Sequence, residues 1–266
     1  MPHPFFAELA APLHIAHRGG AGLYPENTLF AFQQAVARHH TQMIELDVHA
    51  TADGEIVVFH DDTLERTTDG AGPLAARTWA ELQVLDAGYR WSADGQRFPF
   101  RGQDIGIPRL VEVLRALPDL PLNLEIKPDR PELAAPVVAL LKAAGALGRC
   151  CLGSFHDRVG EALHAAAPDA CHYFAQGPLT AFVMAALMGQ PLPTDDRWHV
   201  LDMPATHNGL PLITPALIAA ARQRDLWVNV WTIDDAATMR ALLAAGVGGI
   251  MTDRPDTLRA VLDGRE

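Results

Sequence analysis

Residues 13–49, LHIAHRGGAGLYPENTLFAFQQAVARHHTQMIELDVH, contain the pattern that decides the fold. An apolar run at 13–16 is followed by a glycine-rich turn, a helical pattern at 28–38 and a second apolar run at 43–49. A strand, a helix and a strand in this order form the unit from which parallel sheets are built. This stretch therefore predicts an α/β protein with a parallel sheet.

The remainder of the chain repeats the same alternation. Further β-type runs lie at 56–60, 122–126, 150–155, 170–174, 199–203, 227–231 and 249–251. Helical patterns lie between them, for example at 109–117, 132–144, 159–167, 215–224 and 236–245. About eight such units in 266 residues fit one TIM (β/α)8 barrel better than an open sheet. We therefore expect a single barrel domain over residues 1–266, with residues 61–106, rich in Gly, Asp and Arg, as a small insertion on one strand–helix connection.

Composition and charge exclude several classes of protein. The formal net charge of −11 argues against a nucleic-acid partner, because phosphate backbones require a basic surface. Three cysteines without CxxC or Cys/His spacing support neither a zinc site nor a disulfide framework. The most apolar stretch, 178–193, is too short and too interrupted to span a bilayer, and the N-terminus lacks a signal-peptide pattern. We expect a cytoplasmic enzyme of a small-molecule substrate; the oligomeric state is left open.

Acidic side chains interrupt two of the apolar runs. Residues i and i+2 of a strand face the same way, so Glu45 and Asp47 project together, and so do Glu125 and Lys127. Charged groups at the carboxyl ends of barrel strands point into the catalytic mouth. Neighbouring carboxylates repel each other unless a cation lies between them, and ligands that are all oxygen suit Mg²⁺, Ca²⁺ or Mn²⁺. The sequence therefore predicts one divalent cation held by Glu45, Asp47 and Glu125.

Two histidines stand at the ends of predicted strands. His17 precedes Arg18 and a glycine-rich turn, and His60 closes the run at 56–60. A pair of histidines can transfer protons in both directions near neutral pH, while a guanidinium offers a planar fork to phosphate oxygens. His49, on the same strand face as Glu45, is treated as a packing residue. We predict that His17 and His60 form an acid/base pair; which is the acid is left open.

These motifs resemble those of the glycerophosphodiester phosphodiesterases, in order and over most of the chain. The resemblance rests on HRGGAGLYPENT (17–28), IELDVHATADGEIVVFHDDTLERTTDG (44–70), NLEIK (123–127), GSF (153–155), VNVWTIDD (228–235) and GIMTDRPD (249–256). One departure is Gly248, where that family usually has an acidic residue.

The resemblance implies a TIM barrel with an insertion after the second strand, and metal-dependent hydrolysis of glycerophosphodiesters to sn-glycerol 3-phosphate and an alcohol. It also implies roles by motif position. These are proton transfer for His17 and His60, metal binding for Glu45, Asp47 and Glu125, phosphate contact for Arg18 and Lys127, and positions beside the substrate for Trp231 and Ser154.

Two other functions fit the same residues. A phospholipase-type relative would act on lysophospholipids, with the apolar segment 179–192 against an acyl chain, although a barrel helix is the simpler explanation of that segment. A catalytically silent barrel would bind glycerophosphate without turnover, but binding alone requires no pair of histidines. The first nucleophile, water or the glycerol 2-hydroxyl, is also left open.

Overall fold

Eight parallel strands form a nearly closed barrel in a computed structural model, which describes residues 3–265. In chain order the barrel strands are β1 (Leu13–His17), β2 (Met43–Ala50), β4 (Leu122–Ile126), β5 (Cys150–Gly153), β6 (Cys171–His172), β7 (Val200–Pro204), β10 (Trp227–Trp231) and β11 (Gly249–Thr252). Three short strands lie outside the barrel: β3 (Ile56–Val58), β8 (Thr206–His207) and β9 (Leu210–Pro211), the last two paired as a hairpin. Around the barrel the order is β6-β5-β4-β2-β1-β11-β10-β7, and a parallel bridge between Tyr173 and Val200 joins the last strand to the first. The predicted TIM barrel is thereby confirmed.

Helices cover the outside of the barrel. They are α1 (Leu29–His39), α2 (Trp79–Leu82), α3 (Leu110–Ala116), α4 (Ala134–Ala143), α5 (Asp157–Ala166), α6 (Gln176–Met188), α7 (Pro215–Gln223), α8 (Ala236–Ala245) and α9 (Pro255–Leu262). Thr28 begins α1 as its side chain accepts a hydrogen bond from the Ala31 amide, a standard way of satisfying the free amides of a first turn. Over the described residues, no helix combines the length and apolarity needed to cross a bilayer.

The run predicted at 56–60 differs from the other predicted strands. It forms only β3, which pairs antiparallel with β2 and is not a barrel strand. The reason is a tight turn, in which the Thr51 amide donates to the Glu55 carbonyl, so that the chain folds straight back on β2. His60 therefore lies just beyond a hairpin. After it, residues 61–106 pack Leu64, Leu74 and Leu82 into a small apolar cluster that also contains Val57 and Phe59.

The barrel interior is apolar at the amino ends of the strands and polar above. Leu13, Ile15, Met43, Val200 and Met251 fill the lower layer. Below them the ring of Phe6 stacks on Trp227, with 4.3 Å between the ring centroids. In the next layer Asp202 accepts hydrogen bonds from Asn123 (2.6 Å) and Asn229 (2.8 Å). A carboxylate there departs from the branched apolar residues that usually fill such barrels.

Candidate active site

Strand register brings the predicted polar side chains to one end of the barrel. His17 pairs with Glu45 across β1 and β2, and Asp47 pairs with Glu125 across β2 and β4. These positions lie at or near the carboxyl ends of the strands, where the alternation of a strand turns their side chains into the barrel mouth. A cavity of about 590 Å³ opens there. Predicted site residues among its lining are His17, Arg18, Glu45, His60, Glu125, Lys127 and Trp231.

Three carboxylates meet at the base of this cavity. Glu45, Asp47 and Glu125 each offer an oxygen, and these oxygens lie within 4.8 Å of one another. Burial, together with the charge of Asp47, raises the pKa of Glu45 to about 8. Burial likewise raises the pKa of Glu125. Burial and mutual repulsion therefore prevent the three carboxyl groups from all being ionised at neutral pH. A bound cation would favour the ionised form of each.

The same cluster fits a divalent metal ion. Oδ1 of Asp47 is buried and accepts no hydrogen bond within residues 3–265, although the Lys127 ammonium stands 3.4 Å away. Burial opposes ionisation of Asp47, but the charges of Lys127 and Arg18 outweigh it and lower the pKa of this carboxyl, which favours its ionised form. A set of oxygen ligands with a free buried oxygen suits a hard cation such as Mg²⁺ or Ca²⁺.

Each predicted catalytic histidine is held by an aspartate. Nδ1 of His17 lies 2.7 Å from Oδ1 of Asp253, and Nδ1 of His60 lies 2.6 Å from Oδ1 of Asp61. A carboxylate at Nδ1 favours the tautomer that carries a proton there and leaves Nε2 free to exchange a proton with a substrate. Burial lowers the pKa of His60, whereas for His17 the charge of Glu45 and the bond to Asp253 outweigh burial and raise the pKa.

Arg18 is fixed by both its backbone and its side chain. Its amide donates to Oε2 of Glu45 (2.9 Å), and its φ of 51° is in the left-handed region. Its guanidinium donates to Glu26 (3.0 Å), with Nε 3.4 Å from Asp47. Asn27 also donates to Asp47, over 2.8 Å. Thus the glycine-rich turn after β1 positions both the predicted phosphate-binding cation and a carboxylate of the cluster.

Two residues predicted beside the substrate have different surroundings. Trp231 is 38 % exposed and lines the cavity, as does Phe155. Ser154 is fully buried, is absent from the cavity lining, and donates its hydroxyl to the carbonyl of Ile126 at 2.7 Å. Ser154 therefore ties the end of β5 to β4 beneath the cavity. His49 is buried with Nε2 3.1 Å from the carbonyl of His60, which fits the packing role predicted for it.

One wall of the cavity is apolar. Leu179, Val183 and Met184 on α6 line it together with Phe155 and Leu212. No charged residue occurs in α6, whose sequence is QGPLTAFVMAALM. The carboxylates and cations described above line the same cavity, so a ligand meets both a charged surface and an apolar one.

Sequence reasoning missed four charged residues of the site, namely Glu26, Asp61, Arg66 and Asp253. Each stands in a motif quoted above, PENT, HDD, LERTT or TDRPD, so the available signal was membership of a motif on which the resemblance rests. Their partners could not be read from the chain, because Asp253 is 236 positions from His17 and Arg66 is 40 from Glu26.

Known proteins are similar to this chain in both sequence and fold. Residues 17–257 match the model of the glycerophosphoryl diester phosphodiesterase family. A probable glycerophosphodiester phosphodiesterase 2 of Mycobacterium tuberculosis is 32% identical, over 94% of this chain and 90% of that protein. Human lysophospholipase D GDPD1 is 28% identical, over 94% and 85%. An Oleispira antarctica phosphodiesterase, solved in complex with the product sn-glycerol-3-phosphate, is 25% identical, with a TM-score of 0.73 over 95% of this chain and 97% of that one.

Proposed function

The chain belongs to the glycerophosphoryl diester phosphodiesterase family and is a phosphoric diester hydrolase, and from this premise we propose how it works. It hydrolyses glycerophosphodiesters to sn-glycerol 3-phosphate and an alcohol, using one divalent cation and two histidines. The observation that carries the proposal is the meeting, in one cavity, of three clustered carboxylates with two histidines that are each held by an aspartate.

The three carboxylates supply the metal site in this proposal. Glu45, Asp47 and Glu125 would hold Mg²⁺ or Ca²⁺, with Mn²⁺ as a third candidate. When bound, the cation supplies positive charge to the phosphodiester oxygens as charge builds up in the transition state.

Arg18 and Lys127 bind the diester phosphate from the protein side. The Arg18 guanidinium offers donors in a planar fork, and the Lys127 ammonium adds a compact charge beside Glu125, at 3.2 Å from its Oε2. Carboxylates hold both side chains in place before the substrate binds, so binding costs little further side-chain entropy. Trp231 packs against the carbon skeleton at the cavity wall.

His17 and His60 move the protons. One takes a proton from the attacking oxygen, which is either water or the glycerol 2-hydroxyl, and the other protonates the departing alkoxide. Because each Nδ1 is held by an aspartate, each Nε2 is the atom that exchanges the proton.

A panel of substrates tests this function. Glycerophosphocholine and related diesters should release sn-glycerol 3-phosphate in a reaction that EDTA abolishes and Mg²⁺ or Ca²⁺ restores. His17→Ala and His60→Ala should each lower kcat at least about 100-fold. Turnover that persists in EDTA would refute the metal, and near-normal turnover in either variant would refute the histidine assignment.

The apolar wall favours a second candidate substrate, a lysophospholipid. Its acyl chain would lie along Leu179, Val183 and Met184, and one relative of this chain is named a lysophospholipase D. Comparing kcat/KM for lysophosphatidylcholine, kept below its critical micelle concentration, with that for glycerophosphocholine separates the two candidates. A higher value for the lysophospholipid would make the acyl chain part of the natural substrate.

A further inference from the structure

One side chain of the segment 61–106 reaches the active site from outside the barrel. Arg66 donates to Asp61 through Nε (2.5 Å) and Nη2 (3.0 Å), and to Glu26 through Nη1 and Nη2 (both 2.7 Å). Its guanidinium thus donates hydrogen bonds to the carboxylates of Asp61 and Glu26 at the same time, although its side chain is 48 % exposed. Such paired bonds are stronger and more directional than those of ordinary surface ion pairs.

Both carboxylates also hold a predicted site residue. Asp61 holds Nδ1 of His60 at 2.6 Å, and Glu26 accepts from the guanidinium of Arg18 at 3.0 Å. A continuous series of hydrogen bonds therefore runs from His60 through Asp61, Arg66 and Glu26 to Arg18. His60 follows the β2–β3 hairpin while Arg18 follows β1, so this series joins two separate parts of the chain.

We propose that Arg66 is a positioning residue that sets the proton-transferring His60 and the phosphate-binding Arg18 relative to each other. It touches neither substrate nor reacting atoms, and it acts through Asp61 and Glu26. The inference rests on the proposed function, in which His60 and Arg18 have those roles.

Arg66 affects the site both through its charge and through the geometry of its hydrogen bonds. Without Arg66, Glu26 would face Arg18 alone and neutralise more of the charge that the phosphate needs. Asp61 would lose both bonds that stop its carboxylate from turning, and the ring of His60 would lose its fixed orientation. A lysine keeps the charge, but its three donors share one nitrogen and lack the planar fork of a guanidinium, so it cannot hold two carboxylates in this arrangement.

The test compares Arg66→Lys with a matched control in the same segment. Arg97→Lys is the control, because Arg97 is 89 % exposed and pairs with the nearby Asp94. We expect R66K to lower kcat by about 10-fold or more and to raise KM for glycerophosphocholine, with R97K close to wild type in both. R66K should melt at a lower temperature than R97K, because the carboxylates that Arg66 holds are only 13 % and 23 % exposed, so the kinetics are compared well below both melting temperatures.

A chemical rescue separates positioning from simple stabilisation. Guanidinium ion added to R66A should recover part of kcat, whereas ammonium at the same ionic strength should not. R66K with kcat and KM within twofold of wild type, or R66A with equal responses to the two ions, would overturn the proposal.

Calorimetric binding of sn-glycerol 3-phosphate provides a readout without turnover. R66K should bind it several-fold more weakly than wild type and R97K, and equal affinity would count against the role through Arg18. A wild-type protein that binds this ligand but fails to hydrolyse any diester would instead contradict the proposed function.

Discussion

Replacing Asp253 by asparagine is the sharpest test of how the histidine pair is prepared for proton transfer. The side chain of His17 has one hydrogen bond among residues 3–265, the 2.7 Å bond from Nδ1 to Oδ1 of Asp253. A second carboxylate, that of Glu45, is 3.9 Å from Nε2 and belongs to the proposed metal site. Asparagine has nearly the same shape as aspartate, but its amide nitrogen can donate to Nδ1 and so stabilise the wrong tautomer of His17.

The expected loss of kcat in D253N is limited because the imidazole of His17 remains in the site. Loss of the imidazole itself should cost at least about 100-fold in kcat. In D253N the ring remains in place but is less well oriented and spends time as the wrong tautomer, which for such supporting residues costs about 10- to 100-fold. We therefore expect D253N to lower kcat by about 10- to 100-fold, with a smaller change in KM.

A coupled assay of released sn-glycerol 3-phosphate at saturating metal measures this effect. Asp256→Asn is the control, because Asp256 follows closely in the chain, pairs with Arg254 (2.8 Å) and is not part of the cavity lining. The double variant H17A/D253N should be no slower than H17A, because residues that act as a unit are not additive. A D253N enzyme within about threefold of wild type, or a double variant that loses the product of both effects, would refute the reasoning.

Three further outcomes follow from buried titratable groups. Glu125→Gln should raise the metal concentration for half-maximal activity by about 10-fold or more, since one of three clustered carboxylates loses its charge; an unchanged metal titration would remove Glu125 from the site. Burial lowers the pKa of His14 to about 4, and its imidazole lies between the carbonyl of Pro255 and Thr41. The unfolded chain binds a proton at His14 near pH 6.5, whereas the native chain binds it only near pH 4. The free energy of unfolding should therefore fall by up to about 3 kcal/mol as the pH drops between those values. In His14→Gln, urea unfolding should depend less on pH. Burial raises the pKa of Asp202 to about 6, so its contribution has the opposite sign and stability falls as pH rises from about 4 to 6. Asp202→Asn should therefore unfold at higher urea than wild type at about pH 8 and show little difference at about pH 4, and equal midpoints at the higher pH would contradict the assignment.

Most strands and helices of the barrel could be predicted from local sequence patterns. The apolar runs around Glu45 and Glu125 alternate with capped helical patterns, and each such unit needs only nearby residues to be recognised. The period of a strand also showed that Glu45 and Asp47 share a face. These features depend on backbone geometry within a few residues, which is why they could be predicted.

The run at 56–60 shows where that reasoning failed. An apolar strand that continues a parallel barrel and one that folds back as a hairpin have the same composition. The turn at Thr51 and Glu55 decides between them through a backbone hydrogen bond, and the result places His60 beside the barrel mouth without a barrel strand of its own. The GSF motif likewise does not reveal that the hydroxyl of Ser154 donates to the carbonyl of Ile126.

The sequence by itself determined the repeated β/α units, the shared face of the carboxylates on β2 and the presence of histidines at chain positions that end apolar runs. Tertiary structure alone decided which aspartate holds which histidine, and that Arg66 joins Asp61 to Glu26. The physical reason is that strand and helix periodicity act over a few residues, whereas closure of a barrel brings together groups as distant as His17 and Asp253. The chemistry of those contacts depends on distances of about 3 Å, which no local pattern specifies.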